Sequence, residues 1–158
     1  SSPVPVAPGH RHDRRGSLMT PERLRAGTAS DARNRRIIAA RYLEVAQLAS
    51  AEEGPGANNV VVGVAVLAGI AASDAICLSA TGMRYAGEDH AEAARVLGRT
   101  DRRLGQELSK LVRLKPSAHY GSTFISDADR VRALRAAATL VRSATDRTLT
   151  AAPREEHP

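Results

Sequence analysis

The sequence predicts an all-α protein, an antiparallel bundle of four to five main helices in a single domain. Its 158 residues suffice for one core and not for two comfortable ones. Aromatic side chains are only 3% of the chain, so the core must be built from small and aliphatic residues, which suits closely packed helices better than a sandwich or barrel. Apolar residues also recur at helical spacing in successive stretches separated by Gly, Pro and capping residues.

Residues 1–18 have no apolar periodicity and several prolines. They read as a disordered tail, either vector-derived or upstream of a native start at Met19. The domain then spans 20–149, and 150–158 reads as a flexible C-terminal tail. Thr20, Pro21 and Glu22 read as cap, first helical position and acidic first turn of a short helix that Gly27 ends. From Ala32 to Glu53 the spacing of Ile38, Tyr42, Val45 and Ala49 predicts an amphipathic helix with those four residues inward. Gly54 to Gly56 breaks it.

The next helix, Ala57 to Thr81, is apolar on every side, so it is either the centre of the bundle or a membrane span. Its uninterrupted apolar run is short of the roughly 18–20 residues a span requires, and Asp74 would cost roughly 2.5–3.5 kcal/mol near a bilayer centre. The central-helix reading follows, with Gly63, Ala65, Gly69 and Ala72 allowing close approach. A shorter helix from Glu88 to Leu97 is expected to end at Gly98. A fourth, from Asp101 to about Leu114, carries Leu104, Leu108 and Leu111, and Pro116 should stop or kink it. Ser126 and Asp129 match a capping box, opening a last helix to about Asp146 with Val131, Leu134, Ala138 and Val141 inward.

The formal charge of +6 is unevenly placed. Residues 1–36 carry eight arginines against Asp13, Glu22 and Asp31, whereas 37–152 carry fourteen Lys or Arg against twelve acids. The folded part is therefore nearly neutral, and charge alone gives weak support for nucleic-acid binding. Arg outnumbers Lys by 21 to 2, which fits a GC-rich genome at least as well as selection for phosphate contacts. The single cysteine, Cys77, excludes a disulfide framework and a Cys-based metal site, and a reducing cytoplasm is the expected compartment. Walker loops, dinucleotide fingerprints, nucleophile elbows and His-x-x-x-His spacings are absent, and neither a metal nor a cofactor is expected.

Three features could carry chemistry. Arg113 can stabilise charge developing on a phosphoryl group, and His119 can exchange a proton near neutrality, a pair suited to RNA cleavage through its own 2′-hydroxyl. On an unbroken helix the two side chains stand 240° of rotation apart, so they converge only if the backbone departs from helix between them. Pro116 offers that break. The alternative is that Arg113 is a solvated helix-end charge and His119 with Tyr120 anchors a loop. Asp74, in the most apolar helix, needs a cationic partner or a surface exit, and could orient Arg113 or His119. Glu88, Asp89 and His90 are consecutive and diverge on a helix, so capping suits them better than metal binding.

The order and spacing of three segments give a resemblance. These are the apolar helix running from Ala68 through Asp74 to Cys77, the turn from Gly87 to His90, and the stretch from Leu114 through His119 to Gly121 before a capped last helix. Over roughly Arg33 to Ala144 the chain resembles the HEPN superfamily, small helical-bundle proteins common in prokaryotic toxin–antitoxin and defence systems. The resemblance implies a homodimer with metal-independent endoribonuclease activity and the two motif copies meeting in a cleft. It implies His119 as general acid or base, Arg113 as phosphate ligand and Asp74 as polar partner. Lys115, Ser117, Tyr120 and His90 are the accompanying substrate-binding candidates. Active members often carry Asn directly after the Arg, where this chain has Leu114, so Lys115, four residues before His119, is the alternative cation. Expected partners are a second copy, an RNA substrate and an antitoxin protein, with no membrane. The rival expectation is a non-catalytic helical interaction module that forms a homodimer.

Overall fold

The computed structural model describes residues 2–4 and 23–150, and its regular structure begins with a strand. Apart from residues 2–4 and Thr150, which ends the last helix, the tails expected at 1–18 and 150–158 lie outside the described residues, as does the helix start expected at Thr20 to Glu22. Where that helix should have continued to Gly27, β1 (Leu24–Ala26) pairs antiparallel with β2 (Met83–Tyr85), Arg25 opposite Arg84. Three residues are too few for propensity to decide between helix and strand. The pairing is decided by β2, which leaves the end of the second helix at Gly82, in the left-handed region at φ 72°.

Five helices follow in an all-α arrangement: α1 (Ala29–Ala49), α2 (Ala57–Thr81), α3 (His90–Thr100), α4 (Arg102–His119) and α5 (Asp127–Thr150). Thr28 caps α1 in a reciprocal box with Asp31, three residues ahead of the expected start. The buried face of α1 is Ala32, Ala39 and Ala46, whereas Ile38 and Val45 are exposed. The expected stripe is therefore partly out of phase, with Tyr42 packed on the core as expected and Ile38 and Val45 outside it. Only alanine is small enough for α1 to lie close against α2, and the larger aliphatics are displaced to its flanks.

α2 is the central helix, touched by α1, α3, α4 and α5. It is long and apolar enough to cross a membrane, yet 78% of its most apolar window is buried inside the bundle. A Cβ at Gly69 would come within 2.4 Å of Leu111, so that glycine admits α4. The contacts of Gly63 with His119 and of Gly69 with Leu111 run α4 antiparallel to α2.

Gly98 does not end α3. It lies inside the helix and faces Gly105, where an added Cβ would stand 2.6 Å from the Gly98 Cα, so the two glycines let α3 and α4 touch backbone to backbone. Asp101 ends α3 and opens α4, accepting from the Leu104 amide and holding Arg147 of α5 at 2.7 Å. Leu104, Leu108 and Leu111 are buried as their spacing predicts. Pro116 neither stops α4 nor bounds it, and the helix continues to His119. Ser126 accepts from the Asp129 amide ahead of α5. That helix buries Ala133, Ala136, Ala137, Leu140 and Val141, leaving Val131, expected inside, 39% exposed.

Candidate functional site

Along one flank of α2, side chains from four elements meet. The continuation of α4 through Pro116 decides which of them share a face. Lys115 and His119 are four residues apart, within 40° of each other around the axis and one turn apart along it. Arg113 lies 120° from His119 around the axis, and both residues are exposed. The convergence of Arg113 and His119 expected from a break at Pro116 does not occur; Lys115 is the cation that shares the histidine's face.

The His119 ring rests on α2. Its Nε2 lies 3.3 Å from the Gly63 carbonyl oxygen, and since a carbonyl only accepts, Nε2 carries the proton and donates. That leaves Nδ1 as the working atom. Gly63 provides the seat, because a Cβ there would be 3.0 Å from Nε2 and 3.1 Å from Cδ2. The Tyr120 ring stands edge-on to His119 at 6.0 Å and is otherwise exposed.

His90 reaches the same flank from the first turn of α3, which Asp89 caps through the amides of Ala91 and Glu92. The capping role expected for the Glu88–Asp89–His90 turn thus falls to Asp89, and His90 is turned toward α4. Its Nε2 is in contact with Lys115 Nζ. An ammonium only donates, so Nε2 is the acceptor and His90 is the neutral tautomer with its proton on Nδ1. Burial, then the Lys115 charge, hold the His90 pKa below its ordinary value, with His119 adding to the effect and Asp89 opposing it.

Asp74 sits eleven residues from Gly63 along α2, about 16 Å of helix rise, and touches neither Arg113 nor His119. Arg35 of α1 holds it instead, with Nε and a terminal guanidinium nitrogen each 3.0 Å from Oδ2, while Arg84 of β2 stands at 4.0 Å. Burial raises the Asp74 pKa and outweighs both arginines, which pull it down. Arg35, Asp74, Arg84 and His90 line one pocket of about 180 Å³, so His90 borders this ion pair as well as touching Lys115.

The loop after α4 is fixed by two asparagines at the start of α2. Asn59 Nδ2 donates to the carbonyls of Ser117 and Thr123, and its Oδ1 accepts from the Ile125 amide. Asn58 Nδ2 donates to the Ile125 carbonyl and to Asp127. Ser117 enters the site through this backbone bond. Asn59, Arg35 and Arg84 are the participants that sequence reasoning did not place, and Gly63, read there as a close-approach glycine, proves to be the seat of His119. The need of Asp74 for a cationic partner or a surface exit was legible, but that the partner is Arg35 depended on the phase of α1.

Among the described residues no three His, Cys, Asp or Glu side chains gather to hold a metal. Buried Cys77 has its thiol pushed up to about 11, chiefly by burial, which leaves it a poor nucleophile. Comparison of the chain with protein-family models, with curated proteins and with solved structures returns no match.

Proposed function

We propose that the chain is a HEPN-like, metal-independent endoribonuclease acting as a homodimer, with His90 and His119 as its acid–base pair and Lys115 as its phosphate ligand. The observation that carries this reading is the contact of Lys115 with His90 one helical turn from His119. Two imidazoles and an ammonium supply a base, an acid and a fixed positive charge, the three needs of phosphodiester transesterification.

In the reaction a substrate phosphate draws Lys115 away and frees the His90 Nε2 lone pair. His90 takes the proton of the 2′-hydroxyl as O2′ attacks phosphorus. The P–O5′ bond breaks, and His119, which enters this step as the imidazolium with its Nε2–H still on the Gly63 carbonyl, gives the leaving oxygen the proton of Nδ1. The products are a 2′,3′-cyclic phosphate and a 5′-hydroxyl end, and the pair is reset by returning one proton from His90 to His119 through solvent. Lys115 neutralises charge on the non-bridging oxygens throughout.

The dimer is supported by apolar residues left exposed on two helices, Ile38 and Val45 on α1 with Val60 and Leu67 on α2, the last two one turn either side of Gly63. A second copy on that face would bring two clusters toward one cleft. The same stripe favours the second reading, a non-catalytic interaction module that dimerises without cleaving.

The test is cleavage of single-stranded RNA in EDTA by wild-type protein and by His119→Ala, with the ends of the products identified. Cyclic phosphate ends that vanish in the variant, and with a 2′-deoxy substrate, are expected. A folded dimer that cleaves no RNA would leave the interaction module as the function. An antitoxin partner would be sought through relief of growth inhibition by a co-expressed neighbouring gene.

A further inference from the structure

The chain holds one phenylalanine and three tyrosines. Tyr42 and Tyr85 pack on the core, but Phe124 is 71% exposed and Tyr120 82% exposed, both on the connection between α4 and α5. In a protein that fills its interior with alanine, leaving its only phenylalanine in water forgoes the stabilisation that burying a large apolar side chain supplies. Neither ring is needed to hold its loop. The Asn59 amide ties the carbonyl of Ser117, two residues before His119, to that of Thr123, one residue before Phe124. Gly121 closes the turn so tightly that a Cβ would be 2.9 Å from the Ser117 backbone. The two rings are thus presented by a backbone already fixed, Tyr120 edge-on to the His119 ring and Phe124 on the loop segment bound by the same Asn59 that holds Ser117.

Exposed aromatic rings on a pinned loop next to cationic side chains are the elements by which proteins hold single-stranded nucleic acid, the cations taking the phosphates and the rings stacking on bases. We propose that Tyr120 and Phe124 form a stacking platform for unpaired nucleobases, which lays a single strand of RNA across the Lys115–His119 cluster. The identity of the ligand rests on the nuclease reading above. A duplex keeps its bases stacked on one another and has no free face to offer, so the platform selects single strands. Every base has such a face, so the platform tolerates all four.

The experiment measures equilibrium binding of a short 2′-O-methyl oligoribonucleotide, which lacks the attacking hydroxyl and reports binding apart from cleavage. An abasic strand of equal length and charge serves as control. Wild-type protein should prefer the base-bearing strand, and Phe124→Leu, a surface change, should weaken that binding about fivefold to a hundredfold while leaving the abasic strand unaffected. Tyr120→Leu should act in the same direction. Circular dichroism establishes that each variant is folded. Equal binding of both strands by wild type overturns the proposal. So does a Phe124→Leu protein that changes its oligomeric state and not its affinity for RNA, which would assign the rings to a protein contact. Base-dependent binding without cleavage of natural RNA would keep the platform and remove the nuclease reading, so the two failures are distinguishable.

Discussion

A methyl group at Gly63 would separate the placement of His119 from the stability of the bundle. In Gly63→Ala the new Cβ lies 3.0 Å from Nε2 and 3.1 Å from Cδ2 of the imidazole. Non-bonded atoms settle at about 3.5–4.0 Å, so the ring must withdraw by roughly 0.5 Å. Its bond to the Gly63 carbonyl, already 3.3 Å, is then lost. The lost bond costs about 1 kcal/mol, and alanine in a helix interior returns about 1 kcal/mol. Stability should therefore change little, and the melting temperature should stay within a few degrees of wild type. Catalysis has no such compensation. A 1 Å misplacement of a reacting group costs on the order of a hundredfold, so half of that predicts about a tenfold fall in single-turnover cleavage. The ring is read independently of activity from the His119 imidazole resonance, which should shift. An unchanged rate with an unchanged resonance would refute the seat assigned to Gly63. So would a loss of stability beyond about 3 kcal/mol, because α4 rather than the ring would then have moved.

Lys115→Ala should lower cleavage far more than Arg113→Ala, and should move the His90 pKa upward in an NMR titration, since a charge that depresses it is gone while burial remains; a larger effect from Arg113→Ala would restore the other register. Burial raises the folded-state pKa of Asp74 above its unfolded value, so protonation favours the folded form. That contribution is complete below the unfolded carboxylate range and is lost as pH rises through the folded pKa. Denaturation of wild type against Asp74→Asn should therefore show wild type losing stability relative to the variant as pH rises from about 4, and parallel pH profiles would count against the buried carboxylate as described. Asp101→Ala removes a cap and the pair with Arg147, and should cost about 2 kcal/mol, lowering Tm by roughly 8 °C; a calorimetric shift under 2 °C would show that the junction is held by the Gly98–Gly105 contact alone.

Long, strongly patterned helices were legible in the sequence, and their faces were less so. α4 shows its buried side through Leu104, Leu108 and Leu111 because leucine is large enough for its spacing to locate the core. α1 misleads for the opposite reason. Its inward residues are alanines, which carry almost no hydropathy signal, while Ile38 and Val45 lie at an edge that a monomer leaves open. Reading the helix a little out of phase hid Arg35, and with it the partner of Asp74. The β1–β2 pair was not legible because three-residue strands carry no pattern. The same holds for Gly98, whose service as a contact surface depends on Gly105 arriving from another helix.

The candidate site turned on a single backbone event. If Pro116 breaks α4, Arg113 and His119 can converge; if the helix passes through it, rotation about the axis sets Lys115 beneath His119. Proline in a helix interior leaves one carbonyl without its donor, here that of Val112, and commonly ends the helix. In this chain the turn that follows is secured from outside. The Tyr120 amide bonds back to the Pro116 carbonyl, Asn59 takes the Ser117 carbonyl, and His119 rests on Gly63. Each of these partners except the first is on α2, more than fifty residues away in sequence. No local reading of Leu114 to Tyr120 could weigh them. The proline is thus tolerated because the last turn of α4 is clamped to the central helix, and that same clamp seats the imidazole on Gly63 and fixes the loop that carries the two exposed rings.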